Sequence, residues 1–449
     1  MQMRDRRGSL LQVSLFRPVR RGAWGHARRL LEKSHPADIA QVLDRTTKTD
    51  RKAAFDLIRS HQERAAVLSL LQFEARADIV LGLEPASAGQ IMSHMSADDA
   101  ADILRELPRG RADEIMSALG DAGADIESLL RYPEDTAGAI MAPEYFALSE
   151  NLTAKEAIER LQQHGEAEAS FYVYVVDDRN YLVGVLSLRQ LILQPPYTLL
   201  RDCMVSDPIR VTTDTDQEEV AAMVARYDLL ALPVVDLSNC LVGVVTVDDV
   251  IDVIREEATE DILKLAGTTS EEVTSPGVLR GAWIRFPWLA ASFVGAFAGI
   301  FLLARFQDLL SATVQVTFFI PIILGMGGNV GSQCSMVVVR GIATGRLEVG
   351  SIGRIIGHEV GTSLLLAVTF AFVLGLWATL LGFGPPSLPL VVSLGMFISM
   401  VMAGAVGALL PLLLSRAGFD PAVASGPVVT TSSDVIGILG FCLVAYLLL

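Results

Sequence analysis

What most constrains this chain is how little charge its last third carries. From Gly281 to the C-terminus there are six basic residues (Arg285, Arg305, Arg340, Arg346, Arg354, Arg416), five acidic ones (Asp308, Glu348, Glu359, Asp420, Asp434) and no lysine. Phe286–Ala304 is a charge-free run of 19 residues, long enough to cross a bilayer as a helix. Further spans are expected at 312–339, 361–383, 388–414 and 422–449, giving five. Lipid offers the backbone no hydrogen-bond partner, so each span must be helical. The connection after the second span carries Arg340, Arg346 and Arg354, and that after the fourth carries Arg416. The connection after the third, GFGPPSLP, carries no charge. By the positive-inside bias the Arg-bearing connections are cytoplasmic, so a multi-pass protein of the cell (inner) membrane is expected, N-terminus inside and C-terminus outside. Arg305, at the outer end of the first span, is accommodated by snorkelling to head groups.

Residues 1–280 are a different material, with 30 basic and 46 acidic residues, against a whole-chain charge of −15. Such an acidic body is not expected to bind nucleic acid. Residues 1–30 are Arg-rich without an apolar core, so they do not read as a signal peptide. The four cysteines (Cys203, Cys240, Cys334, Cys442) are scattered singly, and the histidines are dispersed. Neither a disulfide framework nor a soft-metal site is suggested.

Asp434 is the anomaly of the apolar region. It follows four hydroxyl residues, Thr430, Thr431, Ser432 and Ser433, and no other charge lies in the fifth span to pair with it. A carboxylate deep in a bilayer costs about 2.5–3.5 kcal/mol on insertion scales, and such residues mark ion paths. The second span holds PIILGMGGNVGSQ (321–333). Its glycines fit tight helix packing, and equally a wet path on which Gly325, Gly328, Asn329 and Gln333, with Thr430 and Thr431, face a hydrated ion. Hard oxygen donors suit Mg2+ or Ca2+, and Mg2+ keeps most of its waters, so one or two carboxylates suffice. Five spans make a thin pore wall, and a two-fold homodimer brings two copies of Asp434 to one axis.

In the soluble half, 141–200 and 204–260 repeat each other. MAPEYFALSENLTAKEAIERL matches MVSDPIRVTTDTDQEEVAAMV, and YLVGVLSLRQLI matches CLVGVVTVDDVI. The pattern resembles a tandem pair of cystathionine-β-synthase (CBS) modules, an α/β unit that often binds adenine nucleotides such as ATP. Thr246 and Asp249 in the second module resemble the ribose-holding pattern. The first module has Ser187 and Gln190 without the acid. Residues 25–135 show apolar residues at helical spacing, with Ala-Asp-Ile at 37–39, 77–79, 101–103 and 124–126, which predicts a right-handed stack of short helices. The linker IDVIREEATEDILKLAG crowds Asp252, Glu256, Glu257, Glu260 and Asp261 on one helix. Either it is a solvated acidic face, or Mg2+ bridges it to Asp216, Glu218, Asp228, Glu359 and Asp420.

Together YPEDTAGAIMAPEY (132–145), VTVDDVIDVIREEATEDILKL (245–265), GMGGNVGSQ (325–333) and DPA…TTSSD (420–434) resemble the MgtE-type magnesium channels over nearly the whole chain. The resemblance implies a multidomain fold: a basic arm (1–24), a cytoplasmic α-helical superhelix (25–135), CBS modules at 136–202 and 203–250, an acidic connecting "plug" helix (251–279) and a five-helix transmembrane domain (280–449). It further implies a homodimer, a pore Mg2+ ligand at Asp434, and regulatory ions at Asp216, Asp228, Asp249, Asp252, Glu257, Glu260, Asp261, Glu359 and Asp420. Gly426 departs from the family, where relatives can carry a polar Asn. The expected function is a Mg2+-selective uptake channel closed by intracellular Mg2+. The competing readings are an ion-coupled divalent cation carrier, which needs a second deep site, and a membrane-anchored nucleotide sensor, which leaves Asp434 without a role. Neither a nucleophile–base set nor a phosphate-cradling loop is present, so no enzyme is expected.

Overall fold

The computed structural model describes residues 24–163, 171–269, 272, 277–343, 352–382, 384–424 and 426–449. The basic arm, apart from Trp24, and Arg346 lie outside the described residues. The chain divides into two compact units, Met1–Arg255 and Glu256–Leu449.

Short helices open the first unit, from Trp24–Leu31 to Ala124–Leu129. Polar caps set their starts: Thr47 accepts from the Asp50 amide, and Ser60 from the Glu63 amide. Pro36 and Pro85 occupy first-turn positions, where the missing N–H costs nothing. Each helix packs on the next but one: Pro36–Asp44 on His61–Ser69, Lys48–Phe55 on Phe73–Leu81, Pro85–Met92 on Arg109–Leu119. The expected stack of helices is therefore present, and its core runs on into the second CBS module through Met141, Val211 and Val245.

Two sheets follow. Strands β1 (Ala147–Ser149), β2 (Tyr172–Val176), β3 (Leu182–Ser187) and β4 (Val205–Ser206) form one, in that order. Strands β5 (Val211–Thr212), β6 (Ala231–Val235) and β7 (Leu241–Thr246) form the other. The sequence repeat is visible in the pairing, since β1–β2 and β5–β6 are parallel while β2–β3 and β6–β7 are antiparallel. The modules also exchange their leading segments. Ala142 bridges Val244 of the second sheet, and β4, beyond the expected boundary at 202, pairs with β3 of the first. Gly243 and Gly184 allow this, because a Cβ at Gly243 would come within 2.8 Å of Met141 Cγ, and one at Gly184 within 2.7 Å of Met204 Cγ.

The second unit holds five helices long and apolar enough to cross a membrane: Val278–Arg305, Val314–Ile342, Gly353–Leu381, Leu388–Arg416 and Pro427–Leu448. The fourth is the hub, with the second, third and fifth packed along it, while the first packs on the fifth. The fifth differs from expectation. A short helix, Pro421–Ala424, ends before Gly426, and the spanning helix starts afresh at Pro427. Asp434 therefore lies about 10 Å into a continuous helix rather than the ~21 Å implied by an unbroken run from Asp420.

Candidate ion path and acidic clusters

Helical periodicity sorts the second span into three stripes. The first, Gly327 and Gly331, is sealed. A Cβ on Gly327 would lie 2.5 Å from Ser399 Oγ of the fourth span, and one on Gly331 would lie 2.7 Å from Ser433 Oγ of the fifth and 3.2 Å from the Ala403 carbonyl. The second stripe, Gly328 and Ser332, faces the fifth span more loosely. A Cβ on Gly328 would lie 3.6 Å from Thr430 Cγ2 and 3.9 Å from Asp434 Oδ1, and Ser332 Oγ is 3.5 Å from Thr430 Oγ1. The third, Gly325, Asn329 and Gln333, is exposed, with open space over Gly325. The tight-packing expectation thus holds on the first stripe, and the third is left open.

Asp434 is half-buried, and among the described residues no cation or hydrogen-bond donor meets its carboxylate. Thr430 shares its face, one turn earlier. Thr431, expected beside the ion path, instead packs its Cγ2 against Gly295 of the first span; one residue is about 100° around the helix. Ser332 was missed, because hydroxyls are common in helices and nothing in its spacing marks it. Its position opposite Thr430 shows only in three dimensions.

Ahead of the fifth span, Asp420 Oδ1 accepts from the Ala422 amide at 2.8 Å, an N-cap. Its Oδ2 lies 2.7 Å from Lys264 Nζ on the helix Val247–Leu265, whose Glu260 Oε1 is 2.5 Å from the same ammonium. Burial, then the charge of Asp420, raises the Asp261 carboxyl above its usual range. The structure thus brings Asp420, Glu260 and Asp261 together around Lys264. Glu359 is buried, with His358 Nδ1 at 3.1 Å. Asp252 is exposed, 3.4 Å from Arg255. Asp216 and Asp228 stand at opposite ends of the helix Gln217–Tyr227, Asp216 as its N-cap accepting from the Glu218 amide and Asp228 as its left-handed C-cap. Within one chain these two cannot share an ion, and Glu218 sits in the first turn beside Asp216.

A second acidic group lies within the first unit. Asp249, hydrogen-bonded by Thr246 Oγ1 at 2.6 Å, faces Asp98 and Asp99 of the helix Ala97–Glu106. Burial first, then Asp98, lifts the Asp249 carboxyl to about 8, and burial with Asp98 lifts Asp99 to about 6. Asp98 Oδ1 is buried with no partner among the described residues. Thr246 and Asp249 were expected, whereas Asp98 and Asp99 were not: in sequence they read as ordinary first-turn acids favoured by the helix dipole. Among the described residues no three His, Cys, Asp or Glu side chains already form a metal cage. The fit of the Asp98–Asp249 group to a hard cation rests on its orphaned carboxylate oxygen and its like charges.

Five helices long and apolar enough to span, joined to a helical stack and a CBS pair, define a multi-pass membrane protein with an attached helical and α/β body. Family models match each of these parts: the MgtE divalent cation transporter at 320–444, which begins after the first span, the MgtE intracellular N domain at 34–135 and CBS domains at 137–194 and 200–256. The magnesium transporter MgtE of Thermus thermophilus is 38% identical over 98% of both chains, and that of Bacillus subtilis is 33% identical over 91% of this chain and 94% of its own. The chain is similar to a crystal structure of the cytosolic domain of the Mg2+ channel MgtE in complex with ATP (38% identity, TM-score 0.51, covering 54% of this chain and 99% of that one). It is also similar to the soluble part of a magnesium transporter (33%, TM-score 0.50, covering 56% and 99%). The chain belongs to the MgtE family of magnesium transporters.

Proposed function

We propose that this protein is a Mg2+-selective channel for magnesium uptake, closed when intracellular Mg2+ binds its acidic regulatory groups. The observation that carries this reading is Asp434: a membrane carboxylate left unpartnered beside Gly328, with Thr430 and Ser332 hydroxyls a turn away. A strongly hydrated cation needs such a site, because it accepts oxygen contacts through its own water shell. The exposed stripe Gly325, Asn329, Gln333 is polar yet lies on a membrane helix, so it calls for a second copy across a two-fold axis to enclose it. A homodimer then sets two Asp434 carboxylates around one path. The soluble body faces the cytoplasm and the C-terminus lies outside.

Closing requires acids that repel when ion-free and attract when bridged. The Asp98, Asp99, Asp249 group meets that requirement in the first unit, whereas beside the fifth span Asp420 and Glu260 are already bridged by Lys264 and meet it only once that ammonium withdraws. Asp249 also belongs with Thr246 to the candidate nucleotide site, so ATP at the CBS pair would change the charge balance of the same cluster. The test is single-channel recording of the full chain in a bilayer, with Mg2+ varied on each side. Mg2+ current that falls as millimolar Mg2+ is added on the side of the soluble unit is expected. No Mg2+ current would sink the channel reading, and current indifferent to Mg2+ on that side would sink the regulation alone.

A further inference from the structure

Three independent contacts converge where the fifth span begins. Lys264 Nζ sits between Asp420 Oδ2 (2.7 Å) and Glu260 Oε1 (2.5 Å). One residue on, the Leu265 carbonyl oxygen lies so close to Gly426 that a Cβ there would be 2.7 Å from it. At Gly267, φ of 74° turns the chain, and a Cβ on it would sit 3.8 Å from Pro427 Cγ and 3.7 Å from Trp288 Cβ. All of these residues lie in one compact unit.

Asp420 and Glu260 repel one another unless a cation stands between them. In this chain that cation is the ammonium of Lys264, tethered to the connecting helix. We propose that Lys264 is a positioning residue that occupies the cation place between Glu260 and Asp420, and so seats the end of the connecting helix on the mouth of the fifth span at Gly426 without a divalent ion. The proposal rests on the regulatory reading in one respect: Mg2+ acting at this pair must displace an ammonium instead of filling an open site. Burial opposes the charge on Lys264, but its hydrogen bonds to Asp420 and Glu260 outweigh that and hold it protonated well above the usual lysine range. Gly426 is the steric half of the arrangement, since any side chain there would push the Leu265 carbonyl away.

Backbone hydrogen exchange on the full chain in lipid nanodiscs with EDTA tests this. In the parent, amides 260–266 are expected to be protected without divalent ions. Lys264→Gln should speed their exchange by about tenfold or more, as expected when a local segment is freed, while Lys264→Arg should keep them protected. Adding millimolar Mg2+ to Lys264→Gln should restore protection, because Glu260 and Asp420 are then open to the ion. Gly426→Ala should release the same segment even with Lys264 intact. Unchanged fourth-span protection at 391–400 reports that each variant is folded, and if Lys264→Gln loses it, Gly426→Ala and Lys264→Arg decide. A parent unprotected in EDTA, or Lys264→Gln as protected as the parent, overturns the proposal. The regulatory reading is judged separately, by whether current through the unmodified chain responds to Mg2+.

Discussion

Asp420 and Asp434 lie fourteen residues apart on the last stretch of chain, and the protein treats them in opposite ways. Asp420 has both oxygens spoken for, one by the Ala422 amide and the other by Lys264. Asp434 has no donor among the described residues, although it sits where an unmet charge is most costly. A paired acid at a helix start is sufficiently explained by capping and positioning. An unpaired one inside a span has no such structural account and, on the proposed reading, meets a cation that arrives from solution. On that reading, the contrast separates a group that holds the protein's parts from one that handles its cargo.

The largest effect should come from Asp434. Asp434→Asn keeps the size and removes one charge per chain. If each of two carboxylates contributes on the order of 1–1.5 kcal/mol net to a hydrated Mg2+, uptake should fall about 30- to 150-fold. Asp434→Glu should be intermediate, and Asp420→Asn should alter the response to intracellular Mg2+ more than conduction. Mg2+ influx into liposomes at matched protein content checks all three, and parent-like flux through Asp434→Asn would break the contrast.

Next comes packing. Gly407 lies directly over the Gly331 backbone, and a Cβ there would collide with the Gly331 carbonyl. Gly407→Ala should therefore destabilise the membrane unit by about 1–3 kcal/mol, as overpacking does, whereas Gly325→Ala on the open stripe should not. Thermal stability in detergent should distinguish them, and equal tolerance would mean that the sealed and open stripes are not distinct.

A smaller effect is expected in the soluble unit. Asp249 at about 8 and Asp99 at about 6 are both raised by burial and by acidic neighbours. A raised carboxyl favours folding in its protonated form, so that stability is present at acid pH and is lost as pH rises through 6 and then 8. In EDTA, the protection factors of the 97–106 amides, referenced to the intrinsic exchange rate at each pH, should therefore fall several-fold between pH 5 and 8.5, and Mg2+ should suppress the change. Asp98→Asn should flatten the pH response. Protection that rises with pH in EDTA would contradict the repulsion on which the proposed cation sensing depends.

The smallest effect belongs to Ser332→Ala, which removes a hydroxyl 3.5 Å from Thr430 Oγ1. A long, neutral contact is worth at most about 1 kcal/mol, so flux should drop no more than about fivefold. A collapse matching Asp434→Asn would mean that Ser332 touches the ion directly.

Much of this was legible in the sequence because it is periodic or costly. Five charge-poor runs announce five spans, the duplicated LVGV segments announce paired sheets, and a lone acid in a span announces a carboxylate without a partner among the described residues. What escaped depends on which distant surfaces meet. The break at Gly426 is set by a short helix that ends within the expected span. The turn of Thr431 toward Gly295 is a matter of 100° around a helix. Asp98 and Asp249 are far apart in sequence, and each is locally unremarkable, so only the fold reveals the repulsion between them.

The exchange of leading segments between the two CBS modules sets an order of events during synthesis. Ala142 bridges Val244, so the segment that borders the second sheet leaves the ribosome about a hundred residues before its partner strand exists; at ~5–20 residues per second that is a wait of roughly 5–20 s. Through that interval Met141 has no Gly243 to rest on, and the acids around Asp98 have no Asp249 to face. The nascent helical stack must persist with an uncovered apolar edge until translation passes Thr246. Slow codons or a chaperone encounter within 200–246 would act at the one moment when both sheets are still open.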